Sequence, residues 1–178
     1  DHYFGLIGLL QSMHLLGRTA ELNVYGHSAL KEIIDLQLKS GNSYLSYPLV
    51  FHELNKGISE VVLDNEKLEV STVILKHRIP CCGFIFKEKK KPRKIKPGSL
   101  KRYKVPKYAI KAIKSGDDFI QENGNIIKNQ LLTSDALPPF SYAFCSDTRY
   151  DESILPHINE VNLLYHEATF TDEHTDRA

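Results

Sequence analysis

The sequence predicts a layered α/β protein. Short apolar runs with strand-like spacing alternate along the chain with segments of helical periodicity. Apolar residues make up 42% of the 178 residues, enough for a sizeable core. No run of about 18 apolar residues occurs, so no membrane span is expected. The opening DHYFGLIGLL is apolar, but no basic segment precedes it, which argues against a secretory signal.

The elements follow in order. Phe4, Leu6, Ile7, Leu9, Leu10, Met13 and Leu16 fall close to helical spacing, which predicts a buried helix directly after Asp1-His2. Leu22 to Tyr25 reads as a strand closed by Gly26. Residues 29–39 form an amphipathic helix, with Leu30, Ile33, Ile34 and Leu38 on one face and Gly41 beyond its end. A strand follows at 49–54. Residues 60–63 and 68–75 read as a hairpin around Asp64-Asn65, and 82–87 as a further strand. Residues 108–114 predict a short helix ended by Gly116, and 119–127 a hairpin turning at Asn123-Gly124. After Pro138-Pro139, a strand is expected at 141–145, a short helix at 152–158 and a strand at 161–165.

The net charge of +1 conceals an asymmetry. Residues 87–114 hold 13 of the 23 basic residues and one of the 22 acids, Glu88. That stretch carries +12, and the 10 basic and 21 acidic residues elsewhere carry −11. A basic segment on an acidic body points to a polyanionic partner. Residues 87–106 also contain three prolines and many charges, which predicts a mobile, protruding arm without a core. The three cysteines, Cys81, Cys82 and Cys145, are an odd count with two adjacent members, and this predicts a reducing, cytoplasmic setting.

Three strands run into residues that ligate metals. The 70–75 strand leads to His77, the 142–145 strand to Asp147, and the 161–165 strand to His166-Glu167. Strand ends are where layered α/β folds build sites, because the side chains leave the core while the backbone stays rigid. Asp1 and His2 precede a helix, a position from which they could meet the same edge. Imidazole and carboxylate together suit zinc. The other histidines, His14, His27, His52, His157 and His174, read as surface or packing residues.

The strings DHYFGLIGLLQSMHLLGR at the start, LKHRIPCCGF at 75–84, FCSDTR at 144–149 and LLYHEATF at 163–170 resemble the ribonuclease Z family, tRNA 3′-processing endonucleases of the metallo-β-lactamase superfamily. The resemblance runs over essentially the whole chain, with the motifs in the family's order. It implies a partial metallo-β-lactamase αββα sandwich, with residues 1–86 and 115–178 as two parts of the core and 87–114 as a flexible basic exosite arm. Asp1-His2 look like the last two residues of the family's HxHxDH signature. Its first two histidines, and the later HST and final ligand histidines, are then expected outside residues 1–178.

The resemblance further implies two zinc ions per subunit in the intact protein. Asp147 would bridge them, His77 would serve one, and Asp1 and His2 the other. Asp1 is also the general base that the family implies, and Glu167 would orient the HST histidine. The implied reaction removes the 3′ trailer from precursor tRNA and leaves a 3′-hydroxyl on the tRNA. In the arm, Lys94, Lys96, Lys101, Arg102 and Lys104 are the expected nucleic-acid contacts, since phosphate contacts position a substrate without reading its sequence. The family's common Gly-Pro pair is absent there, and PGSLK at 97–101 is its nearest counterpart. A homodimer is implied, with one subunit's arm serving the other's site. Two alternatives stand beside this reading. One is another hydrolase of the superfamily acting on small phosphodiesters or esters. The other, for these 178 residues alone, is an inactive nucleic-acid-binding module with weak or no zinc binding.

Overall fold

A computed structural model describes residues 2–169 and 173. Helix α1 (Leu6–Leu15) is followed by β1 (Leu22–Gly26), α2 (Ser28–Ser40) and β2 (Leu49–Glu53). β1 and β2 pair in parallel, with Leu22 opposite Leu49. Parallel neighbours need a crossover, and α2 supplies it. The expected burial of α1 is corrected. Leu10 is fully buried, but Phe4, Leu9, Leu15 and Leu16 are exposed. A helix apolar on every side carries no periodicity that marks its packed face.

The main sheet has five strands in the order β11-β10-β5-β4-β3. β3 (Val61–Asp64) and β4 (Leu68–Leu75) form the expected hairpin. Asn65 shapes its turn, its Oδ1 accepting from the amides of Lys67 at 2.8 Å and Leu68 at 3.0 Å. β4 pairs antiparallel with β5 (Cys81–Glu88), from Leu68 opposite Glu88 to Leu75 opposite Cys81. Inward-facing residues alternate along β4 and β5, so Val73, Leu75 and Ile85 share one cluster with Ala143, Cys145 and Ile154. Ile154 comes from a 3₁₀ turn, Glu152–Ile154, leading into a helical turn at Leu155–Ile158.

Residues 93–135 form a second folded unit. It contains β6 (Lys94–Ile95), α3 (Ser99–Arg102), α4 (Ile110–Ser115), β7 (Phe119–Ile120), β8 (Ile126–Ile127), α5 (Asn129–Leu132) and β9 (Thr133–Ser134). β6 pairs with β9, and β7 with β8 across the turn that holds Gly124 at φ +84°. Ile113, Phe119 and Leu132 are buried together, with Ile95, Tyr103, Val105, Ala109 and Ile127 packed against them. The expectation that residues 87–106 lack a core is therefore corrected. Their apolar residues are spaced between lysines, and the partners that complete the core arrive later, at Phe119, Ile127 and Leu132. Asn129 ties the unit together. Its Nδ2 donates to the carbonyls of Ile113 and Asp117, both at 2.7 Å, and the Thr133 hydroxyl donates to its Oδ1 at 2.5 Å.

The chain then returns to the main sheet through β10 (Ser141–Cys145), the helical turn at Leu155–Ile158, here α6, and β11 (Leu163–His166). β10 runs antiparallel to β5 and parallel to β11. β4 is also antiparallel to β5, so β4, β10 and β11 all point the same way. Their C-terminal ends lie on one edge of the sheet.

Candidate functional site

That shared edge carries the residues singled out in the sequence. His77 follows β4, Asp147 follows β10, and Glu167 follows β11 directly. The close approach of β5 to β10 beneath them requires glycine. A Cβ at Gly83 would lie 2.5 Å from the Phe144 carbonyl oxygen and 3.0 Å from Val73 Cγ1.

Two candidates from distant parts of the chain meet here. His2 Nε2 lies 2.9 Å from Asp147 Oδ2, with side chains 63% and 36% exposed. Glu167 lies on the same edge. Its carboxylate accepts from the Thr148 backbone amide and from the Thr169 hydroxyl at 2.7 Å. The Thr169 hydrogen bond is the main reason that its carboxyl is held below the usual carboxylate range. The Thr148 amide and the charges of His166 and His77 add to this, against an opposing effect of burial. Glu167 therefore sits within electrostatic reach of His77. Cys81 lies at this edge too: burial first, then the charge of Asp147, pushes its thiol up. Asp1 lies outside the described residues.

The donor chemistry, imidazole beside carboxylate, suits zinc. Among the described residues no three His, Cys, Asp or Glu side chains gather closely enough to hold a metal ion by themselves. His2 and Asp147 are in contact there, and His77 and Glu167 lie on the same edge. His166 Nδ1 lies 2.8 Å from the Glu167 carbonyl oxygen, which fixes the ring beside that edge. Two of the remaining histidines have packing partners of their own: His14 Nδ1 accepts from the Ser46 amide at 3.1 Å, and His52 stacks on Tyr25 with Nε2 2.6 Å from Asn23 Oδ1. His174 lies outside the described residues.

Thr148, Lys76 and Asp151 escaped the sequence reading. Thr148 is 7% exposed, and its hydroxyl accepts from the Lys76 amide at 3.1 Å. A polar residue directly after a candidate ligand, flanked by charge, was the only available signal.

The basic candidates sit on the second folded unit. Lys94 is on β6, Lys101 and Arg102 are in α3, and all five expected contacts are exposed. Lys96 donates to the Gln130 carbonyl at 2.5 Å, and the Arg102 guanidinium lies 5.4 Å from the centre of the Tyr103 ring. Lys104 adopts φ +52° in the turn that leaves α3. Among the described residues no helix is long and apolar enough to cross a membrane.

No protein-family model matches the chain. Curated relatives match it over its whole length. A Ribonuclease Z of Bacteroides fragilis is 42% identical over 178 residues, and the match covers 59% of that protein. A Ribonuclease Z of Bacteroides thetaiotaomicron is 41% identical, with 56% of it covered. A Ribonuclease Z of Cytophaga hutchinsonii is 44% identical over 179 residues, with 57% covered. The chain thus spans less than two thirds of the length of these relatives. Among solved structures, human tRNase Z, short form, aligns with 98% of the chain and 56% of its own, at a TM-score of 0.59 and 20% identity.

Proposed function

From a chain related over its whole length to proteins named Ribonuclease Z, and built on the metallo-β-lactamase fold, we propose that the intact protein is a zinc-dependent endoribonuclease. It removes the 3′ trailer from precursor tRNA and leaves a 3′-hydroxyl on the tRNA. The observation that carries the reading is the 2.9 Å approach of His2 to Asp147 at the edge where β4, β10 and β11 all end.

In this reading His2, His77 and Asp147 hold zinc together with Asp1 and with ligands beyond residues 1–178. Two zinc ions, when bound, supply Lewis-acid stabilisation of charge on a phosphodiester and an activated water. The chain's own residues do the rest. The rigid strand ends fix the donors, so no reorganisation accompanies reaction. Asp1 accepts a proton from the attacking water. Glu167, already held by Thr148 and Thr169, orients the histidine that protonates the leaving oxygen.

The basic surface of residues 93–135 binds the precursor away from the cut, through phosphates. Lys94, Lys96, Lys101, Arg102 and Lys104 are its contacts. In a homodimer, the surface of one subunit serves the edge of the other. A small diester does not need such a basic surface, and this favours the reading over a hydrolase of small diesters. Rates of the full-length protein on precursor tRNA and on a chromogenic phosphodiester test it. A strong preference for precursor tRNA, lost on chelation of zinc, is expected. Comparable rates on both, or activity that survives chelation, would overturn it.

A further inference from the structure

Lys76 is fastened to the Asp147 loop at three separate atoms. Its amide donates to the Thr148 hydroxyl at 3.1 Å. Its carbonyl accepts from the Arg149 amide at 2.8 Å. Its ammonium lies 2.9 Å from Asp151 Oδ1. Both backbone links join the residue directly before His77 to the two residues directly after Asp147. The two loops otherwise belong to β4 and β10, which are not hydrogen-bonded to each other because β5 runs between them.

The side-chain link is asymmetric. The Lys76 side chain is 58% exposed, whereas the Asp151 side chain is 4% exposed. Asp151 is itself fixed, because its Oδ1 accepts from the Ser153 amide at 3.0 Å and caps the 3₁₀ turn that puts Ile154 into the core. The contact pairs a carboxylate buried on the Asp147 loop with a charge carried by the residue that follows β4. Making it costs the long lysine side chain rotamer freedom. What the contact achieves is a fixed separation between the two loops.

We propose that Lys76, through Asp151, is a positioning residue that holds His77 in register with Asp147. The inference rests on the placement of His77 and Asp147 in one site. Removing Lys76 alone would strand a buried carboxylate and unsettle the fold. The informative variant of the full-length protein is therefore the double substitution Lys76→Met with Asp151→Asn, which removes both charges and keeps an oxygen for the Ser153 amide. Amide hydrogen exchange should rise about tenfold or more at Lys76 and Arg149, with β4 and β5 amides unchanged. The kcat on precursor tRNA should fall about tenfold or more while KM stays level. Lys76→Arg, which preserves the ion pair, should retain both properties.

Unchanged exchange and unchanged kcat would overturn the proposal. So would a loss of kcat that tracks a lower melting temperature and a general rise in exchange across the sheet, which is the pattern of a merely structural contact. His77→Ala separates the two levels of inference. If that variant keeps full activity, the site assignment fails. If it is inactive while the double variant behaves as wild type, only the positioning role fails.

Discussion

His2 and Asp147 approach to 2.9 Å from distant parts of the chain, one ahead of α1 and the other beyond β10. Both side chains remain substantially open to water. An exposed polar contact of this kind adds at most about 1 kcal/mol to stability, so this long-range contact is here a poor fold stabiliser. Asp147→Ala in the full-length protein separates the two roles. The melting temperature should move by only about 2 °C. Cleavage of precursor tRNA should fall about a thousandfold or more, since charge stabilisation at such a site supplies several kcal/mol and each 1.4 kcal/mol is a factor of ten. Undiminished turnover would remove Asp147 from the site.

Gly83 bears on the same edge from below. Alanine there would bring a methyl group to 2.5 Å from a backbone oxygen of β10, and backbone cannot rotate away as a side chain end can. Overpacking of this kind costs about 1–3 kcal/mol. Gly83→Ala should lower the melting temperature and push β10 aside, and Asp147 with it. Activity should therefore drop beyond what the lost stability accounts for at a temperature where the variant is still folded. A variant as stable and as active as the wild type would show that β5 and β10 can separate without consequence.

The main sheet was legible because strands repeat every two residues. Val73, Leu75 and Ile85 fall on alternate positions, and Asp64-Asn65 marks the turn between β3 and β4. The edge of the site was legible for a related reason: a histidine or carboxylate just past an apolar run has left the core. Within the second unit the helix ended by Gly116 and the hairpin at 119–127 were legible. The packing of Ile95, Tyr103 and Val105 was hidden, because these residues are set among lysines and most of their partners lie beyond Gly116. The open side of α1 was hidden because every face of that helix is apolar. The Lys76 link could not be read at all, since it joins strands whose order no local pattern reveals.

Asn129 tests whether the second unit is a true folded body. Its amide satisfies the buried Ile113 carbonyl and the part-buried Asp117 carbonyl, and its oxygen receives the Thr133 hydroxyl, which in turn accepts from Arg93 Nε at 2.7 Å. Leucine at this position leaves the Ile113 carbonyl buried and unpaired, at about 1–3 kcal/mol before relaxation. Asn129→Leu should make residues 93–135 sensitive to protease while the main sheet stays protected. Hydrolysis of a small phosphodiester should change little. Resistance equal to that of the wild type would mean that the network contributes nothing.

Acid should loosen the same unit. Asp118 accepts from Lys128 Nζ at 2.8 Å and from the Asn129 amide at 2.7 Å, and the Lys128 hydrogen bond chiefly holds its carboxyl below the usual range. A carboxyl depressed in the folded state stabilises fully above its unfolded pKa of about 3.9, and that stability is lost as pH falls through the lower folded value. Protease sensitivity of residues 93–135 should therefore be flat from neutral pH down to about pH 5 and rise below about pH 4. Asp118→Asn should show less of this acid dependence. An equal acid response in the variant would assign it to other carboxylates.

The basic surface can be tested without disturbing the core beneath it. Lys101 and Arg102 lie in α3 with exposed side chains, and the packing of that region comes from Ile95, Tyr103 and Val105 instead. Lys101→Glu with Arg102→Glu should leave the fold intact. If both residues meet phosphates, each lost contact lowers the slope of log affinity against log salt by about 1, or somewhat less on single strands. Binding of precursor tRNA should weaken at low salt far more than at high salt, where counterions already mask the contacts. Hydrolysis of a small phosphodiester, which reaches only the edge holding His2 and Asp147, should stay unchanged. If both activities fall together, residues 93–135 support the architecture of the site and do not hold the substrate.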